Sequence, residues 1–154
     1  MLKNINPILT ADLLHTLRAM GHGDELVLVD RNFPSKSVAS YTVMQEPIEL
    51  EGIDIPTAAE AILSVLPLDS FVEEPVLRME VVGKPDELVE CHKDMQRVMD
   101  ADSSRKWKMG HIERFAFYER AKNAYAIVSA VGELRPYGCF IITKGVIAAD
   151  GTVG

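Results

Sequence analysis

Gly21-His22-Gly23-Asp24-Glu25 places an imidazole between two glycines, where the pattern predicts a helix-to-strand turn. Glycine reaches backbone conformations that residues with a Cβ avoid, so such a turn displays the side chain it flanks. A displayed imidazole can donate and accept protons near neutral pH. The plainer reading makes the glycines a helix stop and His22 an ordinary surface residue. Asp30 ends the run Leu26-Val27-Leu28-Val29, and ligands of open α/β sheets bind at that edge of a strand. Aspartate also starts turns there. Arg114 and Tyr118 stand four apart in Arg114-Phe115-Ala116-Phe117-Tyr118, so a helix presents both on one face. A guanidinium fork beside a phenol suits a polyhydroxylated ligand; the alternative is an aromatic core stripe with a solvated charged face. Tyr137-Gly138-Cys139 precedes the last apolar segment, and Pro136-Tyr137-Gly138 reads as a turn.

Other chemistry lacks its pattern. There is no CxxC, no HExxH and no acidic calcium loop, so no structural metal is expected. Gly21-x-Gly23 lacks the third glycine of a dinucleotide fingerprint, and no phosphate-cradling Gly-Lys-Ser/Thr loop occurs. His92 falls on the apolar face of its helix and reads as a core or interface histidine, while Trp107 reads as a loop cover.

The elements that must position these groups follow from periodicity. Thr10 caps a helix with Leu13, Leu14, Leu17 and Met20 on one face, and Gly21 stops it. Leu26 to Val29 is a strand buried on both faces. Arg31 to Ser37 is a loop, and Val38 to Met44 a weaker strand. Thr57-Ala58-Ala59-Glu60 is a capping box that opens a helix closed by Pro67, with Asp69 just beyond. Val76 to Val82 is a strand broken by Gly83. The positions Leu88, Val89, His92, Met95, Val98 and Met99 have helical spacing. A short strand reaching Ile112, a helix over Phe115–Ala124, and strands over Tyr125–Val131 and Phe140–Thr143 follow, the last two expected to pair as a hairpin. Alternating helices and apolar strands predict a single three-layer α/β domain over 1–154, its largely parallel sheet covered by helices.

Composition bounds the function. The chain has 154 residues, 47% hydrophobic and 25% charged, enough to bury a core without staples. Sixteen Lys and Arg against 23 Asp and Glu leave a charge of −7, a field that repels polyanions, so no nucleic-acid partner is expected. Cys91 and Cys139 are too few for a disulfide framework and read as buried thiols. No apolar run approaches the ~20 residues of a membrane span. Met1 to Pro7 lacks a secretory core, so the expected compartment is the cytoplasm.

Met1-Leu2-Lys3 with Pro7-Ile8-Leu9, Leu17 to Glu25, Asn32-Phe33-Pro34, Leu68-Asp69-Ser70, Arg114 to Ala121, Gly132-Glu133, Tyr137-Gly138 and Lys144-Gly145-Val146 together resemble the fucose mutarotase branch of the fucose mutarotase/ribose pyranase family. The likeness runs over nearly the whole chain in order. It implies an RbsD-like fold, assembly into a ring-built homodecamer with the pocket where subunits meet, and exchange between anomeric and ring forms of a free monosaccharide without metal or organic cofactor. By position it implies His22 as proton donor, Asp30, Arg114 and Tyr137-Gly138-Cys139 as substrate-binding, and Asp69 and Tyr118 at or beside the sugar. Two residues depart from the pattern: Cys139 stands where Asn is usual, and Arg31 where a small residue is.

Mutarotation suits such residues. The ring oxygen gains a proton while the anomeric hydroxyl loses one, so one acid and one base suffice. His22 is the expected donor, with Asp30 orienting it or binding a hydroxyl, and Tyr118 or Asp69 relaying the second proton. L-Fucose leads by resemblance. The alternative is a monosaccharide-binding or sensing module that kept the fold and lost the chemistry.

Overall fold

The apolar run Leu26–Val29 is fully buried together with the Asp30 that ends it, as a strand covered on both faces must be. In the computed structural model, which describes residues 1–153, it forms β1 (Glu25–Asp30) near the middle of the sheet. The other strands are β2 (Ile48–Leu50), β3 (Val76–Met79), β4 (Met109–Ile112), β5 (Ala126–Ala130) and β6 (Phe140–Thr143), in the order β2-β5-β1-β6-β3-β4. The helices are α1 (Ala11–Ala19), α2 (Ser35–Ala39), α3 (Ile55–Leu63), α4 (Glu90–Asp100) and α5 (Arg114–Ala121). Alternate residues of β1 enter two cores: Leu26 and Leu28 pack with α1, α3 and α4, whereas Val27 and Val29 pack with Val38 and Ala39 of α2 and Phe117 and Ala121 of α5. The expected three-layer α/β architecture is therefore present. Among the described residues no helix is long and apolar enough to cross a membrane.

The sheet is largely parallel, with one exception that organises the molecule. β1 pairs parallel with β5, β5 with β2, and β3 with β4, but β6 is antiparallel to both β1 and β3. The expected β5–β6 hairpin does not form, because β1 lies between the two strands. The 131–139 connection must instead pass over the carboxyl end of β1, and this carries Tyr137-Gly138 onto Asp30. β6 then runs back to the amino end of β1, where it meets the His22 turn.

Several local expectations change. Val38 to Met44 is not a strand: Pro34 precedes α2, and the hydroxyls of Ser40 and Thr42 donate to the carbonyls of Ser37 and Ala39 at 2.8 and 2.7 Å. Such local bonds compete with strand pairing. The strand on that edge of the sheet is β2, whose three residues are too few to display alternation. α3 is capped by Asp54, whose Oδ1 accepts from the Thr57 N–H at 3.0 Å, rather than by Thr57. Pro56 sits in its first turn, where a missing N–H costs nothing. Gly21 does not close α1 in a left-handed conformation. Met20 turns the chain away (φ −58°, ψ 139°) and the Lys144 ammonium donates to the carbonyls of Leu17 and Met20, satisfying the open end of the helix.

Candidate active site

His22 follows α1, and the chain reverses at Gly23, whose φ of +81° requires glycine. The Gly23 N–H donates to the Lys144 carbonyl at 2.9 Å, and the Asp69 N–H to the Thr143 carbonyl at 3.1 Å. The segment after β6 thus holds two distant loops together. Gly145 is required there, since a Cβ would collide with the Leu68 carbonyl. As a result the His22 Nε2 lies 3.2 Å from Asp69 Oδ1. Asp69 is buried, whereas 46% of the His22 side chain is exposed. Asp69 Oδ1 also accepts the Phe71 N–H at 3.0 Å, and the Phe71 ring lies 5.3 Å from the imidazole, itself exposed. A carboxylate accepting from Nε2–H fixes the neutral ring as the Nε2–H tautomer and leaves Nδ1 to exchange a proton with a ligand. The residue beside His22 is therefore Asp69, not Asp30.

Asp30 lies at the other end of β1, buried beneath the 131–139 connection. Its Oδ1 accepts the Asn32 N–H at 2.9 Å, and its Oδ2 accepts the Gly138 N–H at 3.0 Å and faces Cys139 Sγ at 3.7 Å. Burial pushes the Asp30 carboxyl above its ordinary value, and these donors partly offset it. Tyr137 adopts φ +62°, an uncommon conformation for a residue with a side chain, and it is pinned from two sides. The Tyr137 carbonyl accepts from His92 Nε2, 3.0 Å away, and its phenol oxygen accepts the Val82 N–H at 3.3 Å.

Arg114 opens α5 directly after β4, so it stands on the same edge of the sheet as Asp30. Its Nε donates to the Tyr118 hydroxyl at 3.4 Å, and the guanidinium lies 5.7 Å from the Phe115 and Tyr118 ring centres. The Tyr118 ring packs 5.4 Å from Phe33, three residues past Asp30. Asp30, Arg114, Tyr118, Tyr137, Gly138 and Cys139 thus share the carboxyl edge, while His22 and Asp69 share the amino edge. Along the six residues of β1 the two edges are roughly 17–20 Å apart. A cavity of about 350 Å³ between α3 and α4, lined by Leu63, Leu66, Met99 and Asp102, touches neither group. Among the described residues, no three His, Cys, Asp or Glu side chains come together as a metal-holding cluster.

Sequence patterns did not disclose what supports the turn. Glu133 is 2% exposed and accepts from the Ile55 N–H at the start of α3 and from Arg135, which bridges to Asp94 of α4. Burial opposes the Glu133 charge, yet Arg135 and the backbone N–H groups of Arg135 and Ile55 outweigh it and hold the carboxyl down to about 2. His92, fully buried, accepts the Val89 N–H at Nδ1 (3.4 Å) and so donates from Nε2 to Tyr137. Burial and the nearby Arg78 cation push it down to about 4. His92 is a core histidine, as its place on the apolar face of α4 implied, but one that shapes the site.

Both groups make the fold acid-sensitive. An unfolded chain protonates His92 at its ordinary 6.5, whereas the native protein resists to about 4, so stability falls as pH drops through that window. Glu133 stabilises the native state fully above 4.5, and that contribution is lost as pH falls toward about 2. Denaturant unfolding from pH 7 to pH 3 should show midpoints falling in both windows, with the lower step flattened in Glu133→Gln. A midpoint unchanged between pH 6.5 and 4 would contradict the assignment to His92.

Comparison with known proteins gives matches over nearly the whole chain. The model of the RbsD / FucU transport protein family matches residues 3–147. Human fucose mutarotase is 42% identical over 156 residues, covering 97% of this chain and 96% of that protein. L-Fucose mutarotase of Actinobacillus pleuropneumoniae serotype 5b (strain L20) is 42% identical over 148 residues, covering 95% and 97%. The crystal structure of the fucose mutarotase from Streptococcus pneumoniae in complex with L-fucose superposes with a TM-score of 0.84 at 37% identity, over 96% of this chain and all of that one.

Proposed function

We propose that this chain, which belongs to the RbsD / FucU transport protein family, is a monosaccharide mutarotase whose first substrate is L-fucose. The observation that carries the reading is the exposed His22 imidazole, oriented by a buried carboxylate and beside an exposed phenyl ring. A reversible acid needs that orientation, and a C–H face of a sugar can rest on Phe71. The alternative, a module that binds sugar without chemistry, leaves the His22–Asp69 pair without a purpose and is not favoured by relatives that carry the mutarotase name.

In this mechanism His22 as the imidazolium, its Nε2–H held by Asp69, gives the ring oxygen a proton from Nδ1 while the anomeric hydroxyl loses one by way of the Tyr118 hydroxyl to solvent. The ring opens to the aldehyde, which rotates and closes on its other face with the protons returned. Asp69 is too deeply buried behind the imidazole to reach the sugar itself, so its part is to hold His22. Tyr118 relays the second proton, with Arg114 against its hydroxyl to anchor a substrate oxygen. Asp30 receives a hydroxyl and holds the Tyr137-Gly138 turn.

Because these groups occupy opposite edges of one chain, the working site forms between copies, His22 and Asp69 from one and the Asp30 edge from its neighbour. Exposed apolar side chains accompany both halves: Phe71 and Val72 on the first, Val82 and Phe115 on the second. Patches of this kind mark contact surfaces. Head-to-tail contacts generate rings, and the homodecamer is the assembly we propose, acting on free sugar in the cytoplasm. Native mass spectrometry should give ten copies; a monomer that is fully active would overturn the shared site. Saturation transfer between anomer resonances across a panel of free aldoses tests the function. Exchange should rise above the buffer rate for L-fucose first, and binding without acceleration would establish the non-catalytic module instead.

A further inference from the structure

Cys139 stands at a position expected to contact sugar, yet its side chain turns inward. The residue is 3% exposed and packs with Val27, Val29, Phe33, Met79, Phe117 and Ile141. Its sulfur lies 3.7 Å from Asp30 Oδ2, the oxygen that also receives the Gly138 N–H. Whatever this residue offers a ligand is backbone. We infer that Cys139 is a positioning residue that acts through Asp30: its thiol closes the buried side of the carboxylate, so changing the donor there alters the pH dependence of turnover and not the affinity for sugar. The inference rests on the mutarotase reading for its kinetic consequence, though not for its structural one.

The neighbours of Asp30 make the effect separable. Around Gly138, whose N–H Asp30 accepts, stand Glu133 with Arg135 bound to it and the uncharged Ile55 of α3, and Cys91 of α4 donates to Glu133 within range of the Asp30 charge. Burial pushes the Cys91 thiol up to about 12 and the Cys139 thiol well above its ordinary value, so both keep their protons. Glu133 is held ionised down to about 2. Above about pH 5, where His92 behind the Tyr137 carbonyl is also neutral, the charges around Asp30 are therefore constant, and the donor at residue 139 is the adjustable contact. A thiol is a weak donor, but it packs as a small hydrophobe. A hydroxyl donates more strongly to the carboxylate, and a methyl group not at all.

The test compares intact wild type, Cys139→Ser and Cys139→Ala, both substitutions small enough to avoid overpacking. The Asp30 carboxyl is titrated by carbon NMR in protein labelled at the aspartate carboxyl, and kcat/KM for L-fucose exchange is measured against pH. The midpoints should rank Ser below wild type below Ala, about half a pH unit apart, with the acid limb of kcat/KM moving in step and KM holding within about twofold. Coincident midpoints would overturn the inference. So would a large change in KM or sugar preference with the midpoint unmoved, which would put the thiol on the sugar while leaving the mutarotase reading intact. If wild type does not speed exchange, that reading fails, and the titration order alone still decides the role of Cys139.

Discussion

His22→Ala is expected to lower anomer exchange of L-fucose by about 10²–10⁴-fold, the range that a positioned acid–base group supplies. The effect belongs to chemistry and not to folding. The imidazole is half exposed and contacts Asp69 and Phe71 without entering either core. Asp69 keeps the Phe71 N–H as a partner when the ring is gone, so thermal unfolding should shift little. Binding should also persist, because the groups on the Asp30 edge remain. The measurement is saturation transfer at matched sugar occupancy, and exchange at the wild-type rate would remove His22 from the mechanism. Asp69→Ala should fall short of this loss while still costing about tenfold or more, since an unoriented ring spends most of its time misplaced.

Arg114→Ala is expected to lower kcat/KM by about 10–100-fold, the equivalent of one hydrogen bond from a charged donor to substrate at about 1.5–3 kcal/mol. Again the fold should be indifferent. Arg114 is exposed and makes no ion pair among the described residues; its contacts are the Tyr118 hydroxyl and two ring faces. If Arg114 binds the sugar equally in ground and transition states, the loss appears in KM. If it strengthens only as the phenol relays its proton, kcat falls. Arg114→Lys should recover little of it, because an ammonium lacks the planar fork. Unchanged kcat/KM in Arg114→Ala would mean a solvated face at the start of α5.

Much of this architecture is visible in the residues themselves, for reasons that explain what is not. β1 is evident because four apolar residues in a row, Leu26 to Val29, end at an aspartate, and α1 and α4 because several apolar residues each fall on one face. Elements of three to five residues, such as β2 and α2, carry too little period to be distinguished from turns. Strand order is a different matter. His22 and Asp30 are eight residues apart in sequence, which invites a shared site, but an extended strand lies between them and separates them by its own length. His22 and Asp69 are 47 apart and meet because β6 returns antiparallel past β1. Nothing local to Phe140–Thr143 announces that direction. The residue types were legible, as were the two helix-face partners Arg114 and Tyr118. The support of the Tyr137 turn by His92, Glu133 and Arg135 depends on α4 and the 131–139 connection packing together, and Gly132-Glu133 alone does not reveal it.

The central claim is that one chain's imidazole works with its neighbour's arginine, and subunit mixing tests this most directly. His22→Ala and Arg114→Ala chains, each expected to keep at most about a tenth of wild-type kcat/KM alone, would be co-expressed in equal amounts and mixed assemblies verified by native mass. An interface that takes His22 from one chain and Arg114 from the next is intact in about one quarter of random pairings. The account predicts recovery of roughly a quarter of wild-type exchange. Activity remaining at the level of the single variants, in assemblies shown to contain both chains, would contradict it.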